Sequence, residues 1–97
     1  MNDEKQLETM MILQEECAEV IQIISKIYRF GFDSRWPDET SPNNREKMTE
    51  EIGDLLAMVD ILVENCIISD TELNKARKNK KQKLKKWSRI YESTWTD

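Results

Sequence analysis

The sequence predicts an all-α protein, a helical bundle of three main helices whose four-helix-type core is completed by oligomerisation. Apolar residues recur every three or four positions over long stretches, which is the period of amphipathic helices. The 97 residues include only two Gly and two Pro, too few for a turn-rich sheet architecture. Two wide apolar faces exceed what one copy can cover, so self-association into a dimer is expected. We expect one domain over residues 1–97.

The first helix is expected from about Glu4 to Phe30, ending at Gly31, because glycine readily adopts the backbone conformation that terminates a helix. Its length of roughly 40 Å suits a bundle better than an isolated surface helix. Met10 and Met11 are expected in the core. The apolar positions that define this helix are Leu7, Met10, Met11, Cys17, Val20, Ile21, Ile24 and Ile27.

The second and third helices begin with capping signals. Asn43 followed by Glu46, and Ser69 followed by Glu72, have the spacing of a capping box. Between the first two helices, residues 32–44 contain both prolines and form a loop. The second helix carries apolar residues to Cys66, and the third is expected to reach about Tyr91.

Composition excludes several classes of chemistry and location. Without histidine, His-based catalytic triads and His metal ligands are impossible. Cys17 and Cys66 lie far apart, so neither a disulfide framework nor a zinc site is expected. No run of 18 apolar residues spans a membrane, and the acidic start lacks a signal-type apolar stretch. A cytoplasmic protein is therefore expected.

Charge divides the chain into an acidic and a basic part. Residues 1–69 contain 6 Lys/Arg and 15 Asp/Glu, a net charge of 6 − 15 = −9, whereas residues 70–97 contain 9 and 4, a net charge of +5. This asymmetry indicates either a polyanion-binding segment or two oppositely charged surfaces that share a ligand.

Carboxylates interrupt the apolar stripes of the first two helices. Glu16 and Glu19 lie in a row with Ile12 and Ile23, and Glu51 and Asp54 repeat the three-residue spacing on the second helix. Partly buried like charges are unfavourable unless a cation compensates them. Hard oxygen ligands without histidine favour Mg²⁺ or Mn²⁺ over iron or zinc, although solvated acidic faces are the ordinary alternative.

These motifs, in this order, resemble the MazG-like all-α nucleoside triphosphate pyrophosphohydrolases, and in particular small, often bacteriophage-encoded members. Glu15-Glu16-Cys17-Ala18-Glu19 is similar to their E-E-x-x-E motif, and Glu51-Ile52-Gly53-Asp54 to their E-x-x-D motif. The stretch Arg29-Phe30-Gly31 and the segment Lys83-Leu84-Lys85-Lys86-Trp87 are similar to those short forms. The resemblance covers roughly residues 12–90.

The resemblance implies an Mg²⁺-dependent hydrolase, with Mn²⁺ a possible substitute, that converts a (d)NTP into its monophosphate and pyrophosphate in a bacterial or phage-infected cytosol. Metal would be held by Glu16, Glu19, Glu51 and Asp54. Glu15 would orient or deprotonate the attacking water. Base, sugar, number of ions and the choice between dimer and tetramer stay open.

Phosphate and base contacts are expected from cations and aromatic rings near these motifs. Candidate phosphate ligands are Lys26, Arg29, Asn79, Lys80 and Lys83. Phe30 and Trp36 are candidates for stacking on the base, since they flank the loop. For each of these residues a solvated or packing role is the alternative.

Two other classes of function compete with the hydrolase. Nine cations between Lys75 and Arg89 fit a nucleic-acid backbone, but the acidic first two-thirds would repel it, so nucleic acid is not the expected partner. A helical interaction module would explain the apolar faces but not the two acidic motifs.

Overall fold

The chain folds into three α-helices. The computed structural model describes residues 1–92, with α1 at Asp3–Phe30, α2 at Asn44–Glu64 and α3 at Asp70–Trp87. Over these residues β-type pairing is limited to an isolated bridge between Arg35 and Asn43. The all-α class with three main helices is confirmed. Among the described helices, none is long and apolar enough to cross a membrane.

Side-chain caps fix where the helices begin. The Asn2 side chain accepts a hydrogen bond from the Lys5 amide at 2.9 Å, and the capping box of Asn43 and Glu46 is present in both directions. Ser69 Oγ accepts from the Glu72 amide at 3.3 Å. At the end of α1, Gly31 has φ of 90°, a backbone region where any side chain would be strained.

Two expected helix ends lie elsewhere in the structure. The third helix stops at Trp87 rather than near Tyr91, because Ser88 is extended and its hydroxyl accepts a hydrogen bond from the Ile90 amide at 3.1 Å. Cys66, expected on the apolar face of α2, lies beyond its end with φ of 58° and is exposed.

The chain divides into two compact units, Met1–Asn65 and Cys66–Asp97. In the first unit α1 and α2 are antiparallel, because the start of α2 hydrogen-bonds to the end of α1, where Asn44 Nδ2 donates to the Gly31 carbonyl at 2.9 Å. In the second unit α3 has no buried residue.

The core of the first unit is thin. Its buried hydrophobic side chains are Ile23, Met58 and Leu62, and no described side chain is fully buried. Met10 and Met11 were expected in the core and are about half exposed instead, at 48% and 56%. They lie on a different face of α1 from Ile23. They are exposed because α2 covers only one stripe of that helix.

Helix α1 carries two parallel stripes with coiled-coil spacing. The stripe turned toward α2 is at least partly covered and consists of Thr9, Leu13, Glu16, Val20, Ile23 and Ile27. The second stripe, called the outer stripe below, is exposed and consists of Leu7, Met10, Cys17, Ile21, Ile24 and Tyr28. In both stripes the residues follow one another at steps of three and four, with one step of seven between Met10 and Cys17. This is the period of helices that pack along their length.

Candidate active site

Three carboxylates from two helices converge in the first unit. One oxygen each from Glu16, Glu51 and Asp54 lie within 4.8 Å of one another. Glu16 belongs to the covered stripe of α1, whereas Glu51 and Asp54 are three residues apart on α2 and therefore share a face. Glu16 and Glu51 are half-buried and Asp54 is exposed, so the group is open to solvent on one side.

The electrostatics of this group favour a cation. Loss of solvent around Glu51 raises the pKa of its carboxyl above the ordinary 4.5, and the negative charges of Glu19, Asp54, Glu50 and Glu16 raise it further. Four acids thus act on one half-buried carboxyl. A divalent ion would replace this repulsion by attraction.

The oxygen spacing fits one ion with some adjustment of the side chains. Two oxygens on opposite sides of Mg²⁺ are about 4.2 Å apart, and around Ca²⁺ about 5 Å. A 4.8 Å limit is close to that range, and Asp54 is exposed and free to rotate inward. Carboxylate oxygens are the hard donors that Mg²⁺ and Mn²⁺ prefer.

Two other acids of the first motif lie near the group without being part of it. Glu19 is close enough to raise the pKa of Glu51, but it is exposed and outside the 4.8 Å group. Glu15 is exposed and also outside it. Their roles as metal ligand and as water-orienting residue stay predictions.

A cavity of about 400 Å³ lies where α1 ends and α2 begins. It contains three cations, two aromatic rings and two uncharged polar side chains: Lys26, Arg35, Lys47, Phe30, Trp36, Ser34 and Asn44. The structure therefore brings the two expected stacking residues together. It also places Lys26 with them. Phe30 and Trp36 are exposed, at 62% and 75%, so their rings are accessible.

Backbone hydrogen bonds hold the loop that forms this cavity. The amides of Asn44 and Arg45 donate to the carbonyls of Ser34 and Phe32, at 3.0 and 2.9 Å. Farther along the loop, hydrogen bonds from the side chain and amide of Thr40, together with bonds from Ser41, hold the pKa of Asp38 below its usual value. The loop is therefore fastened to the first turn of α2.

The expected phosphate ligands are spread over both units. Arg29 lies over the Phe30 ring, 5.1 Å from its centre, at the end of α1. Asn79, Lys80 and Lys83 are exposed on α3, in the second unit. Their contacts with phosphate stay predictions.

Sequence reasoning did not single out Ser34, Arg35, Asn44 and Lys47. Their signal was weak, because polar residues in a loop or a first helical turn are ordinary. The one usable sign was the Asn43-Asn44 pair, in which only the first asparagine is needed as a cap.

Facing carboxylates on neighbouring helices are the arrangement with which helical bundles of the metal-binding class hold cations. The comparison with family models is more specific: residues 4–86 match the MazG nucleotide pyrophosphohydrolase domain, and the chain belongs to this family. Its members are nucleotide pyrophosphohydrolases, which act on phosphoric anhydride bonds and generally depend on divalent metal. The chain is therefore an enzyme of this kind. Neither the curated proteins nor the solved structures gave a match.

The acid group predicts that Glu51→Gln changes the melting temperature in opposite directions with and without a divalent metal. In the absence of divalent ions, Glu51→Gln is expected to raise the melting temperature at pH 7, because it removes a carboxylate that its neighbours repel. A raised pKa in the folded state means that this carboxyl stabilises the fold less as the pH rises above 4.5. The gain should therefore vanish below that pH.

With millimolar Mg²⁺ the order should reverse, since the wild type gains stability by binding and the variant loses a ligand. Thermal unfolding followed by circular dichroism, with and without chelator, measures both. Asp60→Asn is the control, because Asp60 is an exposed acid of α2 that lies outside the group and is not among the acids that raise the pKa of Glu51. A variant less stable than the wild type in chelator would contradict the proximity of these acids.

Proposed function

We propose that the chain is a divalent-metal-dependent nucleoside triphosphate pyrophosphohydrolase. It would cleave a (d)NTP into a monophosphate and pyrophosphate by attack of water at the α-phosphorus. The observation that carries this proposal is the convergence of Glu16, Glu51 and Asp54 within 4.8 Å from two helices. Family membership favours this hydrolase over a helical interaction module.

The metal ligands would be Glu16, Glu51 and Asp54, with Glu19 completing the set. Mg²⁺ is the proposed ion and Mn²⁺ its substitute, and when bound it would supply neutralisation of phosphate charge and a more acidic water. The half-buried carboxylates of Glu16 and Glu51 would fix its position. The exposed Asp54 and Glu19 would leave one side accessible to the triphosphate.

Glu15 is proposed to hold the attacking water and accept its proton. It precedes Glu16 in the chain and is exposed, so its carboxylate can reach solvent beside the group. A general base needs to lie within hydrogen-bond reach of the water, directly or through one further water. Its proton would pass to bulk solvent after bond cleavage.

Cationic and amide side chains are proposed to stabilise the pyrophosphate leaving group. Arg29 near the end of α1 and the α3 residues Asn79, Lys80 and Lys83 are the candidates. Charge-assisted hydrogen bonds to phosphate oxygens are stronger than neutral ones, and they matter most where charge accumulates in the transition state. Phe30 and Trp36 would stack on the base from the cavity.

Self-association is part of the proposal because the first unit leaves apolar surface uncovered. The outer stripe of α1 is exposed over its whole length, with Ile21 at 67%. A second, apolar cavity of about 470 Å³ continues it, lined by Ile24, Ile27, Tyr28, Phe32 and Met48. Packing of two copies along this stripe would form a four-helix core, in a homodimer or homotetramer.

A product assay tests the proposed reaction. Each of the eight common nucleoside triphosphates is incubated with Mg²⁺ or with chelator, and pyrophosphate and orthophosphate are measured separately. Equal amounts of monophosphate and pyrophosphate, formed only with metal, are expected. Release of orthophosphate with a diphosphate, or no turnover of any nucleotide, would overturn the proposal.

A further inference from the structure

Asn44 carries a hydrogen-bond acceptor that the fold leaves unused. The residue lines the cavity and is only 5% exposed. Its Nδ2 donates to the Gly31 carbonyl at 2.9 Å, which fixes the orientation of the amide because only the nitrogen can donate. Over residues 1–92, Oδ1 accepts no hydrogen bond, yet no fully enclosed side-chain atom lacks a partner. The oxygen is therefore reached by solvent, and its residue lines the cavity.

The three cations of the cavity differ in how far the protein already uses them. Arg35 donates to the Ser41 carbonyl at 2.8 Å and pairs with Glu46 at 3.5 Å. Lys47 Nζ donates to the Trp36 carbonyl at 3.3 Å. Lys26 has no such partner among the described residues. The cavity thus offers one unpaired ammonium and one fixed acceptor, with no acid in its lining.

We propose that this cavity is the base subsite and that it selects keto bases, namely uracil, thymine, guanine or hypoxanthine. This inference rests on the proposed function. Asn44 Oδ1 accepts from the ring N–H of the base, and the Lys26 ammonium donates to the adjacent exocyclic carbonyl. Lys26 thereby serves the base rather than a phosphate.

Amino bases fit this lining less well. Adenine and cytosine carry an NH₂ group where the keto bases carry the carbonyl, and an unprotonated nitrogen where those carry N–H. In the same pose, the lone pair of that nitrogen would face Asn44 Oδ1 and the amino hydrogens would face Lys26.

The position of the cavity also suits a base better than a phosphate. Asn44 and Glu51 are seven residues apart on α2, about 10 Å along its axis. The ring N–H edge of a base, which would contact Asn44, is separated from the α-phosphate of its nucleotide by a comparable distance. Two of the three cations, Arg35 and Lys47, already donate to protein carbonyls, which leaves less positive charge for a phosphate. The two aromatic rings of the cavity suit a base and contribute nothing to phosphate binding.

Two nucleotide pairs that differ only at this edge test the inference: UTP against CTP, and ITP against ATP. We expect kcat/KM to favour UTP and ITP at least tenfold, because an amino base would cover the buried Asn44 oxygen without offering it a donor. Equal values, or a preference for CTP and ATP, would overturn the inference while leaving the hydrolase intact. If no nucleotide is hydrolysed, the proposed function fails, and calorimetric binding of UMP against CMP decides the preference of the cavity.

Variants connect the preference to its residues. Asn44→Ala should reduce both ratios toward one, but it also removes the bond to Gly31 and could unfold the loop. Lys26→Gln avoids this, because Lys26 is exposed, and it should reduce the UTP/CTP ratio at least threefold. The matched control Arg29→Gln should lower kcat/KM for both nucleotides alike and keep their ratio. A Lys26→Gln ratio equal to that of the wild type would contradict the assignment.

Discussion

Asp54→Asn is expected to lower kcat/KM for nucleoside triphosphates by about 10²–10³-fold while leaving the helical circular dichroism signal unchanged. A bound ion contributes several kcal/mol to stabilising the transition state, and each 1.4 kcal/mol is worth tenfold in rate. Asparagine keeps the shape of the side chain but loses its charge. Because Asp54 is exposed, the substitution should disturb the ligand set without disturbing the fold.

Asp60→Asn is the matched control for this variant. Asp60 also lies on α2 and is exposed, but it is outside the carboxylate group. It should retain wild-type turnover and the wild-type response to Mg²⁺. If Asp54→Asn turned over substrate as fast as the wild type, the assignment of the acid group as the catalytic metal centre would be wrong.

Ile21→Glu is expected to convert the assembled protein into monomers. Ile21 lies in the middle of the outer stripe and is 67% exposed in the single chain. Two copies packed along this stripe would bury one unpaired carboxylate each, at a cost of several kcal/mol per ion. The dissociation constant should rise at least 100-fold, with a concentration-dependent fall in melting temperature.

Light scattering across a concentration series measures this effect. Gln22→Glu is the control, because it adds the same charge one residue farther along α1, where the side chain belongs to neither stripe. The control should keep the wild-type mass of at least a dimer. A wild-type protein that is monomeric at tens of micromolar would contradict the proposed four-helix core.

The helices and their starts could be predicted because they depend on local chemistry. The capping pair Asn43 and Glu46 needs only a three-residue spacing, and Gly31 needs only its own backbone freedom. The end of α3 could not be predicted, since the periodic apolar pattern continues through Ile90 while the chain turns at Ser88. Periodicity shows where a helix is possible and not where capping bonds end it.

The acid group was predictable in part. The spacing of Glu16 and of Glu51 with Asp54 placed each on an inward stripe, and the structure brings these three together. Which residues share the covered face with Glu16 could not be read from the pattern, because α1 has two stripes of the same period; Glu19, predicted in the same row, is exposed. This ambiguity also explains why Met10, which lies on the outer stripe, was misplaced in the core.

The cavity was beyond the reach of the sequence because it depends on loop closure. Asn44 acquires its role only when its side chain reaches Gly31, thirteen residues earlier. Phe30 and Trp36 could be proposed for stacking from their place beside the loop. The polar residues that surround these rings, among them Lys26 and Asn44, could be identified only from the folded structure.

Joint binding of a divalent ion by carboxylates of both helices is the central feature proposed for this protein. Anomalous scattering from a crystal grown with Mn²⁺ measures this directly. We expect a peak within about 2.0–2.4 Å of oxygens from Glu16, Glu51 and Asp54 together. A peak bound by one helix alone, or no peak near these side chains at millimolar Mn²⁺, would contradict it.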